Sequence, residues 1–246
     1  MRAWAAVFKK DFKLTRTVFF AGLVINLLMV MLSIFVGMKT DSLFMFIPVA
    51  AAIIFHVLYI PIMLLISLKT EANQLHLWLH NPQPASTLLS SKLVNGLTMM
   101  VVSLLTLYAM TGLLIKQKFS LIELYWTDTW TAGLLFSLYI IIISITIGIG
   151  VLFLWTLFQF LKFKIGRRSW LVVIGTAVIL FWLKVLLEST ELYNLIVNWG
   201  VVTYTFPSFT IDKPIQTYTG EYLYDIIIII GSFVLTAWFF DKKAEV

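Results

Sequence analysis

The sequence predicts an all-α polytopic membrane protein, with six transmembrane helices, an N-terminal amphipathic interfacial helix and short re-entrant external helices. Three observations carry that prediction. Of the 246 residues, 61% are hydrophobic and 12% charged, whereas soluble domains average about 45–50% and about 25%. Six apolar stretches reach the ~20 residues a helix needs to cross the hydrocarbon core. The Lys and Arg residues fall unevenly on the two sides of those stretches, as they do in membrane proteins.

Residues 1–16, "MRAWAAVFKKDFKLTR", come first. At helical periodicity Arg2, Lys9, Lys13 and Arg16 share one face, and Trp4, Val7, Phe8 and Phe12 the other. This is the pattern of a helix lying in the membrane interface, its basic face toward headgroups and water. Asp11 falls within the apolar arc, which lipid contact does not explain and which marks it as a candidate protein contact. The stretch lacks the continuous apolar core of a signal peptide. Residues 17–246 form the six-span domain, with spans at 17–37, 43–68, 93–115, 131–158, 169–187 and 222–240. Backbone polar groups in lipid must be satisfied within their own segment, so even the isoleucine run at 226–230 reads as helix.

Six spans place both termini on one side. That side carries all but five of the 18 Lys and Arg residues, the five being Lys39, Lys116, Lys118, Lys184 and Lys213. The termini are therefore expected to be cytoplasmic. Trp126, Trp130 and Trp170 fall near span ends, where amphipathic rings prefer to sit.

Residues 69–86, between the second and third spans, are unusually rich in amides, His, Trp and Pro. Residues 70–80 fit a short helix with Glu71, Leu75, Trp78 and Leu79 on one face. Asn81-Pro82 and Pro84 stop it, because proline has no N–H and disfavours helical geometry in the residue before it. Ser86 is placed to cap the helix that becomes the third span. A short stiff helix carried by two spans can act as a lever, passing a load into both.

"LHLWLHNPQPASTLLSSKLVNG" resembles the segment after the second span in permease subunits of ABC-2 type exporters, with Leu79, Pro82, Pro84, Ser86 and Lys92 matching. The amphipathic N-terminal helix, six spans, cytoplasmic termini and long external segment extend that likeness over nearly the whole chain. The resemblance implies a transport subunit in a bacterial plasma membrane, driven by a separate ATPase. It also implies two ATPase subunits and a second permease subunit, identical or related. ATP and Mg would then sit on the ATPase, with no cofactor in this chain. Its coupling helix would carry the candidate ATPase contacts Glu71, His76, Trp78, His80 and Asn81.

Residues 188–221 are too apolar for a free loop and too broken for another span. Leu192, Leu195, Ile196 and Trp199 have helical spacing, Gly200 ends the pattern, and Pro207 and Pro214 prevent a long second helix. One or two short re-entrant helices fit this pattern, with a folded surface cap as the alternative. The resemblance makes them an outer gate that includes Trp199, Phe206, Pro207 and Phe209.

No phosphate-binding glycine loop, zinc-protease helix or nucleophile elbow is present. The chain is accordingly read as a non-enzyme. There is no cysteine, and the pair His76 and His80 lacks a third metal ligand. The basic residues follow membrane topology rather than a groove, which argues against nucleic acid. Thr146–Gly150, "TIGIG", reads as close helix packing at Gly148 and Gly150. His56, midway through the second span, reads first as a neutral hydrogen-bonded packing group and second as a lining of the transport path. The only carboxylate within a predicted span is Asp225, near its outer end, which disfavours ion-coupled transport. An exporter of hydrophobic or amphipathic cargo, such as a peptide, an antibiotic or a lipid-like molecule, is the leading expectation. A membrane scaffold or sensor that recruits a cytoplasmic partner without transport is the alternative.

Overall fold

The structure, a computed structural model, describes residues 2–39, 43–72, 83–118, 126–204 and 215–244. Among these, five helical runs are long and apolar enough to cross a membrane: Trp4–Lys39, Phe44–Ala72, Ala85–Leu113, Trp130–Glu188 and Thr219–Lys242. The chain is a helical membrane protein. It divides into two compact units, Met1–Gly148 and Ile149–Val246.

The first unit opens with α1 (Arg2–Lys39), a single unbroken helix. The sequence reading placed a boundary between residues 16 and 17, and the helix runs through that point without a break. The reason is local. The first glycine of the chain is Gly22 and the first proline Pro48, so nothing before the apolar stretch ends the helix. At 1.5 Å per residue, 38 residues extend ~57 Å, well beyond the ~30 Å hydrocarbon core.

The predicted second span is segmented. A short 3-10 turn (Leu43–Phe46) leads into α2 (Ile47–Phe55), which has Pro48 in its first turn, where a missing N–H costs nothing. A second 3-10 turn (His56–Leu58) precedes α3 (Tyr59–Ala72). Pro61 accounts for that tightening, since it cannot donate to the carbonyl one turn back and its ring crowds that carbonyl. Helix α4 (Ala85–Lys118) follows, then α5 (Trp126–Ile165), whose residues up to Gly148 belong to the first unit.

The core of this unit is a seam of Ile60, Leu64, Leu68, Leu89, Met99, Met100 and Leu107, all essentially buried. Close approach explains Gly148: a Cβ there would lie 2.8 Å from Ile60 Cγ2 and 3.1 Å from Leu64 Cδ1. Gly150, paired with it in the sequence reading, has no described atom within 4 Å of such a Cβ and is not a packing glycine of the same kind.

In the second unit, α5 ends at Ile165 and α6 (Ser169–Glu188) begins after a 3-10 turn, Gly166–Arg168. Gly166 has φ +59, a conformation that side-chain-bearing residues resist. Among the described residues of 188–221 there is one short helix, α7 (Glu191–Val197), capped by Thr190, whose hydroxyl accepts from the Tyr193 N–H. Instead of a second helix, β1 (Val201–Tyr204) and β2 (Ile215–Tyr218) pair antiparallel, with Val201 opposite Tyr218. Their β-branched and aromatic residues favour that arrangement. Gly200, at φ +66, makes the corner: its carbonyl accepts from the Thr219 backbone N–H at 3.0 Å and the Thr219 hydroxyl at 2.9 Å. Helix α8 (Thr219–Ala244) completes the unit.

Candidate functional site

A concentrated set of polar contacts in the first unit joins the N-terminal part of α1, the C-terminal end of α3 and the N-terminal part of α4. Lys92, on α4, is 2% exposed. Its ammonium donates to Asp11 Oδ1 at 2.8 Å and Ser67 Oγ at 2.9 Å, and lies 2.8 Å from Glu71 Oε2. Two of these are hydrogen bonds, and the Glu71 oxygen is held as an ion pair. Asp11, fully buried on α1, takes a second bond on its other oxygen from Ser91 Oγ at 2.7 Å. Glu71, at the end of α3, is 8% exposed and also accepts from Lys10. The two carboxylates and two ammonium groups sum to zero formal charge.

One turn along, Asn95 Nδ2 donates to Thr15 Oγ1 at 2.8 Å, and that hydroxyl donates to Asp11 O at 3.0 Å. Buried charges are tolerated only when paired and hydrogen-bonded; here each charge is paired, and all the carboxylate oxygens but Glu71 Oε2 also accept a hydrogen bond. Electrostatically the cluster is a clamp. Glu71 and Lys92 stand on the two arms of residues 73–82, and Asp11 and Lys10 tie both arms to α1.

A second buried chain lies deeper along the same helices. His56 Nδ1 is 2.7 Å from Ala52 O, which can only accept, so Nδ1 carries the proton. Nε2 then accepts from Ser103 Oγ at 3.0 Å, and Ser103 Oγ accepts from Asn26 Nδ2 at 2.9 Å. The Tyr59 ring stacks on the imidazole at 5.5 Å. His56 is thus a buried, hydrogen-bonded packing group, as the first of its two sequence readings expected.

Of the predicted partner contacts, Glu71 is turned inward and ion-paired, while His76, Trp78, His80 and Asn81 lie outside the described residues. Of the predicted gate, Trp199 is exposed, with Nε1 donating to Ile196 O at 2.7 Å, and Phe206, Pro207 and Phe209 lie outside the described residues. Tyr193 of α7 packs edge-on against Tyr224 at 5.1 Å, and its hydroxyl pKa is raised, first by burial and then by Glu188 and Glu221. Among the described residues no cluster of His, Asp and Glu could hold a metal.

Sequence reasoning marked Asp11 as anomalous but missed its partners. Lys10 and Lys92 drew notice only in the count of cations on one side and, for Lys92, in the loop motif, and Ser67 and Ser91 were not singled out. The available signal was "SSKL" opening an apolar helix, a lysine and small hydroxyls where lipid contact needs neither. No protein-family model, curated protein or solved structure matches the chain.

Proposed function

We propose that this chain is the permease subunit of an ABC-2 type exporter, working with a separate ATPase to move a hydrophobic or amphipathic cargo outward. The observation that carries the reading is the Asp11–Lys92–Glu71–Lys10 clamp. It fastens both arms of residues 73–82 to α1, so a load on that segment reaches three membrane helices together. A lever needs such anchorage, whereas a simple surface loop does not.

In this reading α5 and α6 each cross the bilayer, which gives six spans and two cytoplasmic termini. The Gly166–Arg168 turn supports it, since four cations within residues 162–168 interrupt an apolar run 59 residues long. Residues 73–82 then seat in the ATPase through His76, Trp78, His80 and Asn81, with Glu71 and Lys10 at the edge of the contact. The exposed apolar residues Leu192, Leu195, Ile196 and Trp199 fit an outer-leaflet position for the external segment. A second permease copy or a related subunit, and two ATPase subunits, complete the assembly, with ATP and Mg bound by the ATPase.

The test is purification of the chain from its native membrane in gentle detergent, assayed for bound ATPase and for stoichiometry. Two membrane subunits with two ATPases are expected, and Trp78→Ala should abolish stimulation of that ATPase. A bound cytoplasmic partner without nucleotide hydrolysis would favour the scaffold reading instead, and no partner at all would refute both.

A further inference from the structure

We propose that the second unit carries a binding surface for anionic phospholipid headgroups at the α5–α6 turn. Lys162, Lys164, Arg167 and Arg168 stand within seven residues, around the left-handed Gly166. All four side chains are exposed. Among the described residues none of the four is within ion-pair distance of a carboxylate.

The C-terminal end of α8 is packed against the same part of α5. Phe239 meets Phe153 at 6.2 Å and Phe160 edge-on at 5.9 Å, and Lys164 Nζ sits 4.8 Å over the Phe160 ring. Lys242, 4.7 Å over the Trp238 ring, therefore joins the same end of the unit. Phe163 (76% exposed), Trp170 and Trp238 supply large apolar surface among these cations. Ser169, the first residue of α6, is buried, and its hydroxyl has no hydrogen-bond partner among the described residues.

Depth decides the occupant. Helix α6 has 20 residues and so extends ~30 Å, the thickness of the hydrocarbon core. Its N-terminal turn then lies at one headgroup layer, and Glu188 at the other. Four acidic groups stand toward that far end, Glu188, Glu191, Glu221 and Asp225, with Lys184 3.4 Å from Glu188, whereas Asp241 stands beside Lys242 at the cationic end. Cations interleaved with exposed aromatics at headgroup depth match a phosphodiester bearing acyl chains. A free anion would use the cations but not Phe163 or Trp170.

The full chain is purified in mild detergent with equimolar phosphatidylglycerol and phosphatidylcholine, and retained lipid is quantified. Phosphatidylglycerol should be retained in excess. The excess should vanish in high salt, where the Debye length shortens from about 10 Å to about 3 Å. One cation at an anionic surface is worth about fivefold in partitioning, so K162Q/K164Q/R167Q/R168Q should lose at least that preference, whereas K39Q/K184Q should keep most of it. Removing four cations can also disturb insertion, so photoactivatable phosphatidylglycerol is crosslinked to the wild type as well. Crosslinks should map to residues 162–170 and 238–242. The proposal is overturned if crosslinks fall elsewhere, if wild type retains both lipids equally, or if inorganic phosphate displaces phosphatidylglycerol at equal concentration.

Discussion

At one end of the α1–α3–α4 seam, Lys92 meets two carboxylates. About three turns further along α4, Ser103 meets His56 and Asn26, and no formal charge is present. Both places bury polar atoms that lipid cannot satisfy, yet they differ in what failure costs. In the neutral chain every partner is a dipole, and losing one leaves a group that can turn to another. Interhelical hydrogen bonds of this kind average about 0.6 kcal/mol and reach about 1.7. In the clamp, losing one partner strands a charge, which typically costs about 3–5 kcal/mol. The deeper site therefore tunes packing, whereas the clamp acts as an all-or-none fastening between helices.

The largest expected effect follows directly. Lys92→Met strands Asp11 and Glu71 together, with only Lys10 left as counter-ion. It should destabilise the chain by about 3–5 kcal/mol, measured as a lowered thermal midpoint in detergent. The sharper form adds Asp11→Leu and Glu71→Met. If the fastening is needed only for stability, the apolar triple variant should recover most of the loss, because well-packed hydrophobic replacements of buried ion groups are often neutral or better. Recovery of stability without recovery of ATPase stimulation would locate the purpose of the charges in coupling. A single Lys92→Met variant as stable as wild type would break the comparison outright.

Next in size is Gly148→Ala. Its Cβ would meet Ile60 Cγ2 at 2.8 Å in the seam that lies between the two polar sites. Overpacking of this kind costs typically about 1–3 kcal/mol, and the same thermal scan reads it. Ser103→Ala comes third. It leaves His56 Nε2 without its partner, while Asn26 Nδ2 keeps the Ser103 backbone carbonyl at 3.3 Å, for a loss of about 0.6–1.7 kcal/mol. A loss equal to that of Lys92→Met would show that the neutral chain is no softer than the clamp.

These sites also show how far a sequence can be read. Spans were legible because hydropathy over some 20 residues is a local property. The second span's bend was signalled by Pro61, but the end of the N-terminal segment was drawn where no breaker exists, and α1 runs through it. The β1–β2 pair was missed because Val201–Tyr204 is short and reads equally as a fragment of broken helix. The clamp was half visible. Asp11 was wrong for its face, which is a local observation, but Lys92 lies 81 residues away, and no periodicity reports a pairing at that distance. Glu71 was read as a candidate partner contact, and its two lysines were not legible, because Lys10 and Lys92 lie far from it in sequence.

The smallest expected change in stability is the most informative about function. Lys10 is the clamp's outer member, its side chain 49% exposed, and it pairs with Glu71 on the side away from Lys92. A pair this open contributes about 0–1 kcal/mol, so Lys10→Gln should shift the thermal midpoint little, and any shift should shrink further in high salt. Glu71 keeps Lys92 and stays compensated. What changes is the edge of the cluster: a half-exposed cation disappears, and one carboxylate oxygen of Glu71 is freed. If a partner docks there, Lys10→Gln should alter ATPase stimulation while leaving the fold intact, a separation that Lys92→Met cannot give. If stability and stimulation both stay at wild-type values, Lys10 is only a solvated neighbour. The fastening then reduces to Asp11, Lys92 and Glu71, and any partner engages it through residues 73–82 alone.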